Sequence, residues 1–220
     1  ESRNTAISLE WYLRDGFYSA GVFRKEITGF SFEAIDIDEN VPEFGGRDVQ
    51  TSTPLATGNA TNQGIELAAY QKLNFLPFPF NGFYSNLSYT WTSSKADYPG
   101  RDETELPTRG ASEHLFATTL GYEWRRLATA ISYRYRSPYI EGLALEDLQG
   151  ENSFIEDDSF GESEVVDLTF SFRVWGDINL YANVTNLFEE TIASRQGYLD
   201  TPEDIYFNQR RIAMGFRGSF

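Results

Sequence analysis

Apolar residues return at every second position through most of this chain. In TAISLEWYL, Ile7, Leu9, Trp11 and Leu13 share one face, and Ala6, Ser8, Glu10 and Tyr12 share the other. A two-residue period belongs to an extended strand whose two sides meet different surroundings, and no segment has the 3.6-residue period of an amphipathic helix. The same reading predicts strands at FYSAGVFRKEITGF, QGIELAAYQKL, FYSNLSYTW, HLFATTLGYEW, LATAISYRYR, VVDLTFSFRVW, INLYANVT and the closing RRIAMGFRGSF. In the last of these nine, Ile212, Met214, Phe216 and Phe220 align against Ala213, Gly215, Arg217 and Ser219.

The connections alternate in length. RDG, NFLPFPFNG, RR and GD are short, whereas polar stretches at about 33–61, 92–113, 137–164 and 186–207 are long and are expected to be loops. A soluble sandwich has no reason to place every long loop at one end. An up-and-down transmembrane barrel does so, with short periplasmic turns and long extracellular loops. Trp11, Trp91, Trp124, Tyr135 and Trp175 sit near strand tips, where a barrel carries its interfacial aromatic girdles. With long loops outside, the final strand descends and ends at the periplasmic rim. Nine strands counted back from there begin outside, which predicts an incomplete barrel and further sequence upstream.

Composition narrows the reading. The chain has 220 residues and a net charge of −15, which offers no basic stripe for phosphates and argues against nucleic acid. There is no cysteine for a disulfide or thiolate site, and a single histidine, His114, is too little for an imidazole metal centre. Mean hydropathy is −0.43 although 16% of residues are aromatic. No run of about 18 apolar residues exists, which removes a transmembrane helix but not transmembrane strands.

Candidate chemistry is sparse. Alternation points Glu66, Tyr70, Asn86, Thr90, Ser132, Arg134, Asp167, Arg173, Asn179, Tyr181 and Asn183 away from the apolar side, into a polar lumen. Arg134 and the loop aromatics Tyr98, Tyr139, Phe154, Phe160 and Tyr198 are the candidate ligand contacts, since aromatic faces suit ring-shaped ligands of several kinds. Clustered carboxylates raise the question of Ca²⁺. The nearest approaches are Asp36 with Asp38 and Asp157 with Asp158, but neither stretch completes the spacing of a calcium loop, and solvated loop charge is the simpler reading. No nucleophile elbow, phosphate loop or dinucleotide fingerprint occurs, and nothing sets two carboxylates across a cleft, so no enzyme is expected.

The ordered set NATNQGIELAAYQKLNFLPFPFNGFYSNLSYTWTSSKA, SEHLFATTLGYEWRRLATAISYRYRSPYI, LYANVTNLFEET and RRIAMGFRGSF resembles the C-terminal barrel region of TonB-dependent outer-membrane transporters, or receptors. The resemblance covers nearly the whole chain. It implies an all-β, transmembrane, antiparallel up-and-down barrel of about 22 strands, of which residues 1–220 supply the last nine, with the plug domain and early strands absent. It implies a multi-pass protein in the outer membrane of a Gram-negative bacterium that takes up a scarce nutrient, with no cofactor. FLPFPFNGF and NLSYTWTSS look most like a branch associated with saccharide uptake, with ferric siderophores as the other class. Implied partners are the TonB energy-transducing complex, reached through the absent N-terminal part, the lipid bilayer and lipopolysaccharide, and a surface lipoprotein. The barrel-assembly machinery is a further one, reading Ile212, Met214, Phe216 and Phe220 as a folding signal. The rival readings are a passive porin-like barrel and a soluble extracellular glycan-binding β-protein.

Overall fold

A computed structural model of the chain describes residues 1–98, 105–142, 157–196 and 202–218, with backbone alone at 31–39, 48, 50–57, 196 and 203. Strands dominate, and no α-helix occurs among the described residues. Nine of the strands form one antiparallel sheet: β1 (Ser2–Leu13), β2 (Gly16–Val41), β3 (Arg47–Lys72), β4 (Phe83–Asp97), β5 (His114–Trp124), β6 (Leu127–Arg136), β9 (Ser163–Trp175), β10 (Ile178–Thr185) and β13 (Arg211–Arg217), hydrogen-bonded in that order. The sheet is open, with β1 and β13 at its edges.

The four long connections gather at one end and the four short ones at the other. Three of the short turns have two residues: Arg14–Asp15, Arg125–Arg126 and Gly176–Asp177. Arg125 (φ 52°) and Gly176 (φ 52°) take the left-handed conformation that two-residue hairpin loops favour, which costs Gly176 nothing. The fourth, between β3 and β4, spans residues 73–82 and ends in a 3₁₀ turn at Phe80–Gly82.

The long connections hold more structure than their polar composition predicts. The stretch at 33–61 is not a loop, because β2 and β3 run on as one hairpin, turning at a 3₁₀ element (Pro42–Phe44) and two left-handed glycines, Gly45 and Gly46. Register shifts between Thr28, Phe30 and Phe32 interrupt its alternation and hide the strand from a period-2 reading. The last two long connections contribute β7 (Tyr139–Gly142), β8 (Asp158–Phe160), β11 (Thr191–Gln196) and β12 (Pro202–Phe207). These form a second sheet in the order β12-β11-β8-β7.

Register settles what alternation proposed. Cross-strand pairing places Leu9, Ala20, Leu67, Tyr89, Phe116 and Tyr135 in one row across six strands. Leu120, Ile131, Leu168, Val184 and Ile212 make a parallel row across the other half. The opposite face carries Tyr12, Phe17, Tyr70, Asn86, Thr119, Ser132 and Asp167 in its own row. Ser132 and Thr119 hydroxyls bond each other there at 2.9 Å. A one-residue slip anywhere would carry an entire apolar set to the wrong side, so nine strands in consistent register are strongly specified.

The apolar rows are uncovered. Leu9 is 75% exposed, Met214 72% and Phe216 71%, whereas the buried apolar residues among those described are only Ala60, Ala96 and Tyr98. Those three form a small cluster with Ile27, Phe30 and Leu106 at the long-loop end. An apolar face spread over nine strands exceeds by far the patches that water-soluble monomers expose. Among the described residues no second layer covers the apolar side of this sheet.

Candidate ligand cleft at the long-loop end

The sequence places β6 so that Arg136, its last residue, reaches past the sheet on the polar face, in the row Leu115–Arg136–Ser163. Its guanidinium donates from Nε to the Ser112 hydroxyl at 2.7 Å and from Nη2 to the Gly110 carbonyl at 3.2 Å. The same group lies 3.6 Å from the centre of the Tyr139 ring, a cation–π contact. Arg136 thus ties the β4–β5 connection to the first strand of the loop sheet. The Gly110 N–H closes the link by donating to the Ile140 carbonyl.

From Tyr139 an aromatic series continues through the loop sheet. Tyr139 pairs with Phe160 across β7 and β8, and their rings stack at 5.4 Å with planes 14° apart. Phe160 meets Tyr206 of β12 at 5.6 Å. Arg136, Tyr139, Phe160 and Tyr206 line a cleft of about 320 Å³ with Ser163, Ile192 and Asn208. On its other side Tyr139 borders a second cleft of about 420 Å³, walled by Trp91, Pro107, Glu113 and Pro138. The rings pack on one another and on Arg136, and what lines the clefts is their remaining apolar surface with a few polar groups at the margin, a lining suited to a small ligand with apolar and polar parts.

Of the residues singled out from sequence, Tyr139 and Phe160 come together here. Tyr98 does not join them. It is 3% exposed, edge-on to Phe30, and its hydroxyl donates to the Pro107 carbonyl and accepts from the Arg109 N–H. Its ring therefore packs the β4–β5 connection and offers no face to a ligand, and burial pushes its pKa up against the opposing Arg109 charge. Arg134 faces the polar side but is held by Asp167 at 2.7 Å, whose other oxygen accepts from the Asn186 N–H. Phe154, Tyr198 and Phe220 lie outside the described residues. Alternation alone does not single out Arg136, which reads as the end of a regular strand, or Tyr206, whose short strand lies in a polar connection.

The metal candidates separate. Asp36 and Asp38 lie within β2, opposite Thr51 and Val49, and not in a loop. Asp158 opens β8, and its Oδ1 is buried without a hydrogen-bond partner. Burial foremost, then the Asp157 charge, push the Asp158 pKa up, with Arg109 opposing. Among the described residues no group of three or more potential metal ligands is gathered. His114 shares a 2.9 Å hydrogen bond through Nδ1 with the Tyr89 hydroxyl, while Trp91 donates to Glu113 at 3.0 Å. These contacts knit the long-loop rim of the apolar face.

Comparison with known proteins decides the family. The family model for the TonB dependent receptor-like β-barrel matches residues 1–187. The chain belongs to the TonB-dependent receptor family. Among solved structures this receptor segment is similar to the ferric yersiniabactin uptake receptor FyuA from Yersinia pestis, with a TM-score of 0.63 and 16% identity over 98% of its own length. It is similar also to the FrpB iron transporter from Neisseria meningitidis, with a TM-score of 0.61 and 14% identity over 98% of its length. The segment spans 29% and 30% of those two chains, so the likeness is one of fold, to part of a barrel. No curated protein matches it.

Proposed function

We propose that residues 1–220 are the C-terminal portion of a longer barrel in the outer membrane of a Gram-negative bacterium. In this reading the whole protein binds a scarce nutrient outside and imports it with energy delivered through TonB. The observation that carries the reading is the exposed apolar face, continuous in register over nine strands of a chain that belongs to this receptor family. Lipid is the solvent such a face fits, and the polar face then borders the lumen where the family's plug resides. The closing strand, with Ile212, Met214 and Phe216 exposed on the apolar side, fits both lipid contact and recognition by the barrel-assembly machinery, with Phe220 completing the pattern.

The ligand is of the oligosaccharide or ferric siderophore class and approaches from the long-loop side, where Tyr139, Phe160 and Tyr206 present their rings. Phe154 and Tyr198 belong to the same loops and are proposed as further contacts. Lipopolysaccharide around the rim and a surface lipoprotein over the loops are the proposed outer partners. Binding of labelled ferric siderophores and of oligosaccharides to cells expressing the full-length protein tests the ligand reading. Tyr139→Ala and Phe160→Ala are expected to weaken binding of one class by about tenfold each, about 1.4 kcal/mol for losing an aromatic contact. Unchanged affinity in both variants would remove this cleft from the binding path.

A further inference from the structure

We propose that the connection between β3 and β4, residues 73–82, is a lipid anchor. Phe75, Phe78 and Phe80 enter the bilayer leaflet on the short-turn side; they do not form a knob for a soluble protein partner. The inference rests on the reading of the apolar face as lipid-facing and extends it beyond the strands. Sequence first sets this turn apart. LNFLPFPFNG contains no charged residue in a chain of net charge −15, whereas the other three short turns carry Arg14 and Asp15, Arg125 and Arg126, and Asp177. Phe75 is 71% exposed, Phe78 67% and Phe80 53%.

Geometry gives the direction in which two of those rings, Phe78 and Phe80, point. Phe78 lies 5.9 Å from Trp124, and Phe80 stacks on Phe83 at 6.4 Å, which in turn meets Tyr122 at 4.8 Å. Phe83 pairs with Tyr122, Tyr122 with Thr129 and Thr129 with Phe170, so these rings belong to the apolar face. The connection is therefore folded over the lipid side of the rim and away from the lumen. Gly82 lets it lean there, because a Cβ would collide with the Glu123 carbonyl and the Tyr122 ring.

Its backbone is satisfied in part by the connection itself: Leu73 N–H donates to the Phe83 carbonyl, Leu76 N–H to the Leu73 carbonyl and Phe80 N–H to the Pro77 carbonyl, and Pro77 and Pro79 have no N–H. The remaining N–H groups suit the hydrated headgroup level, with the rings and not the backbone reaching the acyl chains. Arg125 places its guanidinium 4.7 Å from the Trp124 ring, at the level where cations meet headgroups. A protein docking site is an apolar patch closed by a polar rim. This patch instead runs without a break into the apolar rows of the sheet, and bilayer is the occupant that covers both.

The test uses the full-length protein, freed of other cysteines and reconstituted in bilayers of phosphatidylcholine and phosphatidylglycerol. Phe75→Cys, Phe78→Cys and Phe80→Cys are made singly, so two anchoring rings remain each time, and each is labelled with a small fluorophore. Nitroxides carried by the lipids and iodide in the water serve as quenchers. Ile212→Cys, on the apolar face in the row of Leu120, Ile131, Leu168 and Val184, and Asp177→Cys, in a charged turn at the short-turn end, are the references. The expected result is loss of fluorescence with shallow lipid nitroxides at all three Phe positions, beyond that at Asp177, with protection from iodide. Quenching by lipid at Ile212 but only by iodide at the Phe positions would overturn the anchor and leave the membrane reading standing. So would protection from both quenchers, which would mean a protein occupant. No lipid quenching at Ile212 would defeat the membrane reading and the anchor with it.

Discussion

Replacing Leu120 with arginine should destabilise the inserted protein severely, whereas the same change at its neighbour Thr119 should not. On the apolar face, β5 runs from His114 at the long-loop rim to Trp124 at the short-turn rim. Ten residue steps at about 3.3 Å span about 33 Å along the strand, and a tilt of about 40° reduces this to about 25 Å, the height of a barrel's apolar band. Leu120 sits near the centre of that span, paired with Ile131 and 46% exposed. An arginine facing lipid at the midplane costs about 2–4 kcal/mol, a factor of about 30 to 1,000 in the folded population. Thr119 points the other way, and Thr119→Arg gives up its hydroxyl bond to Ser132, worth about 1 kcal/mol. Denaturant unfolding of the full-length protein from lipid vesicles, followed by the mobility difference between folded and unfolded forms, measures both. Equal costs at the two positions, or a larger cost at Thr119, would refute the assignment of faces.

Two further outcomes concern the long-loop end. Asp158 has its pKa raised in the folded state, so the stability it contributes is fully present below its unfolded value of about 3.8 and is lost as pH rises through the folded value. Asp158→Asn should therefore tighten the β7–β8 pairing at neutral pH and flatten its pH dependence, read as amide exchange at Ile140 and Ser159 after correction for intrinsic rates. Tyr98→Ala removes the largest ring of the loop cluster and should cost that connection about 3–5 kcal/mol, whereas Tyr98→Phe keeps the ring and loses the hydroxyl bonds to Pro107 and Arg109. Protease cleavage of the β4–β5 connection on whole cells should rise steeply for the first variant and little for the second.

The strands that cross the apolar band were legible because two-sided solvation writes itself into every second residue. HLFATTLGYEW, LATAISYRYR and INLYANVT match β5, β6 and β10 to the residue. A strand whose two faces are not so distinguished has no reason to alternate. That is why the outer halves of β2 and β3, rich in Asp, Thr and Asn and bulged at Phe30, read as loop. The loop sheet was illegible for a different reason. Its strands are three to six residues long and pair across sequence gaps, as Phe160 does with both Tyr139 and Ser194. Single residues fared likewise. Tyr139 and Phe160 stood out as aromatics in acidic loops, but only tertiary packing distinguishes the buried Tyr98 from them or brings Tyr206 to their side.

Energised import through an outer-membrane barrel is tested by accumulation of the bound nutrient in cells expressing the full-length protein, with and without functional TonB. Surface binding is expected in both cells, but accumulation only where TonB is present. Accumulation at the same rate without TonB would contradict it and leave a passive pore.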